Sequence, residues 1–438
     1  MIDELLALNE RCTLVSSHLF ESLWEDVSLP DKGAIVKDLA DKSPGGAFDP
    51  RALEQVPAQD LGYQARWAPL RYTFYGLPWD ITGLRLKSLS AQADRFPWIV
   101  VINGGSANHY EFFITPLNDP GWGQFLAQRM NVLIVSIPGN FRYGGWTQSR
   151  STRVPQYMLD KDLSPQEVKM RNSIFTMKLV FEGLKRLVLR ETTGDVLLVG
   201  HSTGGDIAFL GMADPDVAAR LRGRFLGWGS GGPSNLRREW EQAVGKWKNT
   251  VAKLSAYPPA WEVRTRDADD YEESGYIGPL NPCAEREMNN RQIAERWLSV
   301  EDRRRPNFKQ VLQDVEHHGA SELKTKLERE IRETLSATGL SVPVEEILND
   351  LFYTNRSPVT GYRKMIWTVG KWDKGHWHKT DIGKARELTI ADQFSEKDPM
   401  TQTKVLVYDL PLTHYGHIER PRQLAGGLCA AVQWLLST

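Results

Sequence analysis

The chain has 438 residues, 54 Lys and Arg against 55 Asp and Glu, a net charge of -1, and 41% hydrophobic with 25% charged residues. At roughly 100 to 200 residues per domain this length suits two or three domains, or one large domain carrying an insertion. The neutral balance lacks the basic footprint that nucleic acid or anionic lipid requires, and no apolar run approaches the roughly 18 residues of a bilayer span. Neither nucleic acid nor membrane is expected as a partner. Cys12, Cys283 and Cys429 are odd in number and widely separated, so they form neither a disulfide framework nor a metal-ligand spacing. With an acidic start, Met1-Ile-Asp-Glu-Leu-Leu, they point to a reducing, cytoplasmic setting.

Residues 1–65 mix short amphipathic pieces with breakers such as Ser43-Pro44-Gly45-Gly46. They read as a partly helical extension, serving either as a strap across the core or as a homodimerisation element. Leu70–Gly76 and Ile81–Leu86 have the character of strands around a turn. Three apolar runs follow: Trp98–Ile102, Val132–Val135 and Val196–Val199. Without alternation and rich in β-branched residues, they suit strands buried on both faces of a parallel sheet. Helical spacing separates them, between Trp122 and Met130 and from about Pro165 to Leu189. This alternation implies an α/β protein with a mostly parallel sheet.

A further strand, Phe225–Trp228, leads into Gly229-Ser230-Gly231-Gly232. From about 234 to 360 the chain turns helical, charged and Trp-bearing, with Ser321–Thr338 the clearest helix. Strand character returns in Lys364–Val369 and Lys404–Tyr408, and an amphipathic helix, Pro421–Leu436, ends the pattern. The expected organisation is therefore an extension (1–65), a first core part (66–232), a helical insertion (233–360) and a second core part (361–438).

The chemistry concentrates directly after strand 196–199, where Gly200-His201-Ser202-Thr203-Gly204 precedes the helical run Ile207-Ala208-Phe209-Leu210. This is G-x-S-x-G in a strand–turn–helix setting, where a tight turn lifts the serine hydroxyl off the sheet and flanking glycines let strand and helix approach. Here the chain resembles the α/β-hydrolase superfamily over about 69–232 and 361–438, with the insertion where that family commonly places a cap. The resemblance implies Ser202 as nucleophile, a histidine base near the C-terminus and an acid between them. Thr413-His414-Tyr415-Gly416-His417 supplies the base, with Gly416-His417 similar to the family's Gly-His and His414 as the alternative. Asp373 stands three residues beyond Gly370, as in the family's G-x-x-D, with Asp381 and Asp409 as rivals.

The resemblance also implies an oxyanion hole from the backbone N–H groups of Thr203 and of Gly105, with Ser106 behind it, in the loop Asn103-Gly104-Gly105-Ser106. Arg142, Tyr143 and Trp146, after strand 132–135, together with Ser106 and His201, are candidate substrate contacts. His376, His378, His317 and His318 have pairwise metal spacings but lack further ligands in pattern, so no metal and no cofactor are expected. The expected partner is a small-molecule substrate: a carboxylic ester first, with amide, lactone, thioester or a carbon–carbon bond beside a ketone as alternatives. A catalytically idle hydrolase fold used for ligand binding is the competing reading.

Overall fold

The computed structural model describes residues 12–15, 34–39, 49–103, 112–115, 120–138, 157–161, 163–164, 166–167, 170–171, 174–229, 263–265, 304–306, 320–350, 361–370, 401–408, 412 and 414–437. Its strands are β1 (Cys12–Val15), β2 (Tyr63–Phe74), β3 (Leu77–Ser88), β4 (Trp98–Ile102), β5 (Val132–Ser136), β6 (Val196–His201), β7 (Arg224–Trp228), β8 (Val263–Thr265), β9 (Arg304–Pro306), β10 (Lys364–Gly370) and β11 (Gln402–Tyr408). Nine of them form one sheet in the order β1-β11-β10-β7-β6-β4-β5-β3-β2. The β2–β3 and β3–β5 pairs are antiparallel and the other pairs parallel. All residues of β4, β5 and β6 are buried, as runs of Val, Ile and Leu covered on both faces must be.

Helices cover both faces. On one side lie α1 (Trp122–Ala127) and the C-terminal helix, which bury Trp122, Leu424, Leu428 and Val432 against Ile99, Val101 and Leu197. On the other side α2 (Met177–Glu191), α3 (Thr203–Phe209) and α4 (Pro215–Leu221) bury Val180, Phe181, Leu184, Ile207 and Leu221 against Val100, Leu133 and Leu198. Each fully buried Leu or Val contributes roughly 1.5–3 kcal/mol. These two layers hold the carboxyl ends of β4, β6 and β7 in place.

Three expectations change. The helical pattern from Pro165 to Leu189 is interrupted: residues 166–167 and 170–171 are helical, 174–176 are not, and a new helix begins at Met177. Thr176 is extended (φ −119°, ψ 158°), and its side chain accepts the amide of Leu179, an N-cap that starts the helix there. The N-terminal segment adds a strand, β1, parallel to β11 at the sheet edge, while Val36, Leu53 and Leu61 enter the same core layer as α1. The insertion, read as helical, contains the antiparallel pair β8–β9.

Its helices α5 (Ala320–Thr338) and α6 (Val344–Asp350) return to the core. Ile331, Leu335, Val344 and Ile347 join the layer of α2. Asp350 is fully buried and accepts the Tyr75 hydroxyl at 2.8 Å and the Lys178 ammonium at 3.2 Å. This polar clamp ties the end of the insertion to the β2–β3 turn.

Candidate active site

Ser202 follows the last residue of β6 and precedes the first turn of α3, with φ 54° and ψ −126°. Among the described residues only three non-glycine residues have positive φ, and a left-handed, non-helical serine at a strand–helix junction is strained. Neighbouring backbone determines the strain. The Ser202 amide donates to the carbonyl of Trp228 at 3.0 Å, and the Ser202 carbonyl accepts the amide of Gly205 at 2.8 Å. A Cβ on Gly200 would overlap the carbonyl of Gly204, and one on Gly204 would overlap the carbonyl of Ile102. Both glycines are required by this close packing of β4, β6 and α3. The result leaves Ser202 partly exposed at the carboxyl edge of the sheet, beside the point where β4 and β6 adjoin and the chain changes direction across the sheet.

The C-terminal turn meets this elbow. His414 and His417 flank the start of α7 (Gly416–Glu419), which leads into α8 (Pro421–Leu436). His201, immediately before Ser202, packs its ring 4.6 Å from that of His414 and 4.5 Å from that of His417, centroid to centroid. The Nε2 of His201 lies 3.0 Å from the His414 carbonyl oxygen. His417 is fully buried, with Phe112 at 4.7 Å on its ring and Tyr415 at 6.1 Å. Burial pushes its pKa down to about 3, so the ring is neutral at physiological pH. This neutral imidazole packs against the residue that immediately precedes Ser202.

Two sequence-distant contacts align the loops. A Cβ on Gly416 would lie 2.8 Å from the Trp228 ring, and Trp228 is the residue whose carbonyl binds Ser202. A Cβ on Gly370, the last residue of β10, would overlap the carbonyl of Leu412. The end of β10 thus lies against the start of the histidine turn. Asp373, and with it Asp381, Asp409, Gly105, Ser106, Arg142, Tyr143 and Trp146, lies outside the described residues. Asn103, which begins the loop holding Gly105 and Ser106, is fully buried, and its carbonyl also lies within reach of a Cβ on Gly204.

The structure therefore brings together Ser202, the Thr203 backbone, His201, His414 and His417. His201, read from the sequence as a substrate contact, is 2% exposed and bonded to protein. Phe112 and Trp228 escaped the sequence reading: Phe112 sits in an apolar pair, Phe112-Phe113, with no motif, and Trp228 looks like an ordinary strand residue. Among the described residues no group of three or more His, Cys, Asp or Glu is arranged to hold a metal ion, and no helix is long and apolar enough to cross a membrane.

A mostly parallel sheet with an antiparallel first hairpin, a glycine-flanked serine elbow after the central strand, and a histidine turn ahead of a closing helix define the α/β-hydrolase fold, and this chain has it. No protein-family model matches the chain, and no curated protein matches it by sequence. Among solved structures it is similar to a probable hydrolytic enzyme from Pseudomonas aeruginosa, at 14% identity over 86% of this chain and 96% of that one, with a TM-score of 0.44. A bacterial membrane phospholipase A aligns at 14% identity over 96% of this chain and 97% of that one (TM-score 0.40), and esterase E22 at 12% over 85% and 100% (TM-score 0.40). The fold assignment rests on the topology and the elbow described above.

Proposed function

We propose that the protein is a serine hydrolase that cleaves a carboxylic ester of a small to medium, partly apolar molecule. The observation that carries this reading is the strained, partly exposed Ser202 (φ 54°) whose preceding residue packs against a fully buried, neutral histidine. A binding module has no use for storing strain at a hydroxyl beside an imidazole.

In this reading Ser202 Oγ attacks the acyl carbon as His417 takes its proton. Oxygen charge develops in front of the Thr203 and Gly105 amides, where each donor is worth roughly 10²- to 10³-fold in rate. The alcohol leaves with the proton returned by His417, and water then hydrolyses the acyl-enzyme by the same path. Asp373 accepts the far N–H of the imidazole, orienting it and stabilising the imidazolium. The insertion, with Trp240, Trp247, Trp261 and Trp297, covers the acyl pocket.

The test is product analysis on a panel of p-nitrophenyl and short-chain alkyl esters. Ester hydrolysis by wild type, lost in Ser202→Ala, supports the proposal. Cleavage of amides, lactones or β-diketones in preference to esters would redirect it to another bond, and equal turnover by Ser202→Ala would overturn it.

A further inference from the structure

The proposed mechanism gives His201 no task, yet its surroundings are unusually specific. Its ring is almost wholly buried, and its Nε2 faces the His414 carbonyl at 3.0 Å, a bond between positions 213 residues apart. A carbonyl oxygen only accepts, so Nε2 carries a proton in this bond. One end of the bond is covalently next to Ser202; the other lies in the turn that runs into His417. Any flat ring would fill the space against Phe112, whose centroid is 5.9 Å away. Only an N–H donor also fixes the distance between the strand end and the turn.

We infer that His201 is a positioning residue whose Nε2–H···O=C bond to His414 holds the histidine turn in register with the serine elbow. It touches neither substrate nor the reacting atoms. The catalytic consequence rests on the serine hydrolase reading above, whereas the bond itself does not. Proton transfer from Ser202 depends on that register, and a misplacement near 1 Å costs on the order of 10²-fold in rate.

The experiment compares wild type with His201→Gln, whose amide nitrogen reaches close to the Nε2 position, and His201→Phe, which keeps a ring without a donor. Each full-length protein is assayed for its rate of labelling by a fluorophosphonate, for kcat and KM on p-nitrophenyl butyrate, and for melting temperature. The Phe variant is expected to lose roughly 10- to 100-fold in labelling rate and kcat with KM changed less than about twofold, and Gln to restore most of it. A Phe variant as active as wild type overturns the inference. So does a Gln variant as impaired as Phe, since ring volume would then be the cause.

A second readout needs no catalysis. Imidazole nitrogen spectra of wild type labelled with 15N-histidine are expected to show His201 as the Nε2–H tautomer, and an Nδ1–H tautomer overturns the inference. Wild type inert to both probes but with the Nε2–H tautomer would overturn the serine hydrolase reading, and with it the catalytic consequence, while leaving the bond in place.

Discussion

The amide of Ser202 is held by the carbonyl of Trp228 at 3.0 Å, and the indole of the same Trp228 lies against Gly416, one residue before His417. Trp228 is fully buried, so its backbone sets the height of the elbow while its ring sets the approach of the histidine turn. Gly416→Ala places a methyl 2.8 Å from that ring, and neither partner has free space to yield. A stability loss of roughly 1–3 kcal/mol is expected, with fluorophosphonate labelling reduced more than folding. Urea denaturation and labelling rate check this; a variant with wild-type values in both would show that the turn is not braced by Trp228.

The buried His417 makes stability depend on pH in a defined direction. Its pKa is about 3 folded against 6.5 ordinarily, so between these values the unfolded chain binds the extra proton. Stability is then complete above pH 6.5 and falls as the pH drops toward 3, by at most about 1.4 kcal/mol per unit for this group. Among the described residues, the titratable groups packed on the ring are His201 and Tyr415. His417→Gln removes one proton from the linkage, so its denaturation midpoint should vary less between pH 4 and 6 than that of wild type. Identical slopes would mean that His417 is not buried in neutral form. In the proposed triad the Asp373 carboxylate on the far ring nitrogen opposes the desolvation, so Asp373→Asn is expected to steepen the dependence.

Asp350 anchors the end of the insertion. Asp350→Ala removes the acceptor of Tyr75 and the partner of Lys178, and a loss of about 2–3 kcal/mol is expected, with roughly 1 kcal/mol for Tyr75→Phe. Chemical denaturation gives the magnitudes, and limited proteolysis of α5 and α6 should quicken in Asp350→Ala alone. Unchanged stability in that variant would mean that the clamp contributes nothing.

The acid is tested by paired variants. Asp373→Asn is expected to cut kcat on p-nitrophenyl butyrate by several orders of magnitude, as loss of the tautomer-fixing group does, and Asp381→Asn by far less. Equal losses would move the assignment.

Much of this architecture was legible in the sequence because each element carried its own signal. β4, β5 and β6 are uninterrupted apolar runs because both sheet faces are covered, and α8 starts at Pro421 because proline suits the first helical turn. The elbow was visible because Gly200 and Gly204 are a local steric need of the turn around Ser202. What stayed hidden depends on tertiary neighbours. β1 is a short edge strand, Cys-Thr-Leu-Val, whose partner β11 lies nearly 400 residues away in the chain. Thr176 interrupts a continuous helical pattern and starts a new helix through a single side-chain cap. The bond from His201 to His414, and the tilted ring contact of Phe112 with His417, arise only when β6, the loop after β4 and the closing turn converge.

The central claim, an activated serine at the elbow, is tested most directly by intact-mass labelling with a fluorophosphonate on wild type, Ser202→Ala, His417→Ala and His414→Ala. The account predicts one adduct on wild type, none on Ser202→Ala or His417→Ala, and retained labelling on His414→Ala. A folded wild type that takes no adduct, or a Ser202→Ala variant that still takes one, would contradict it.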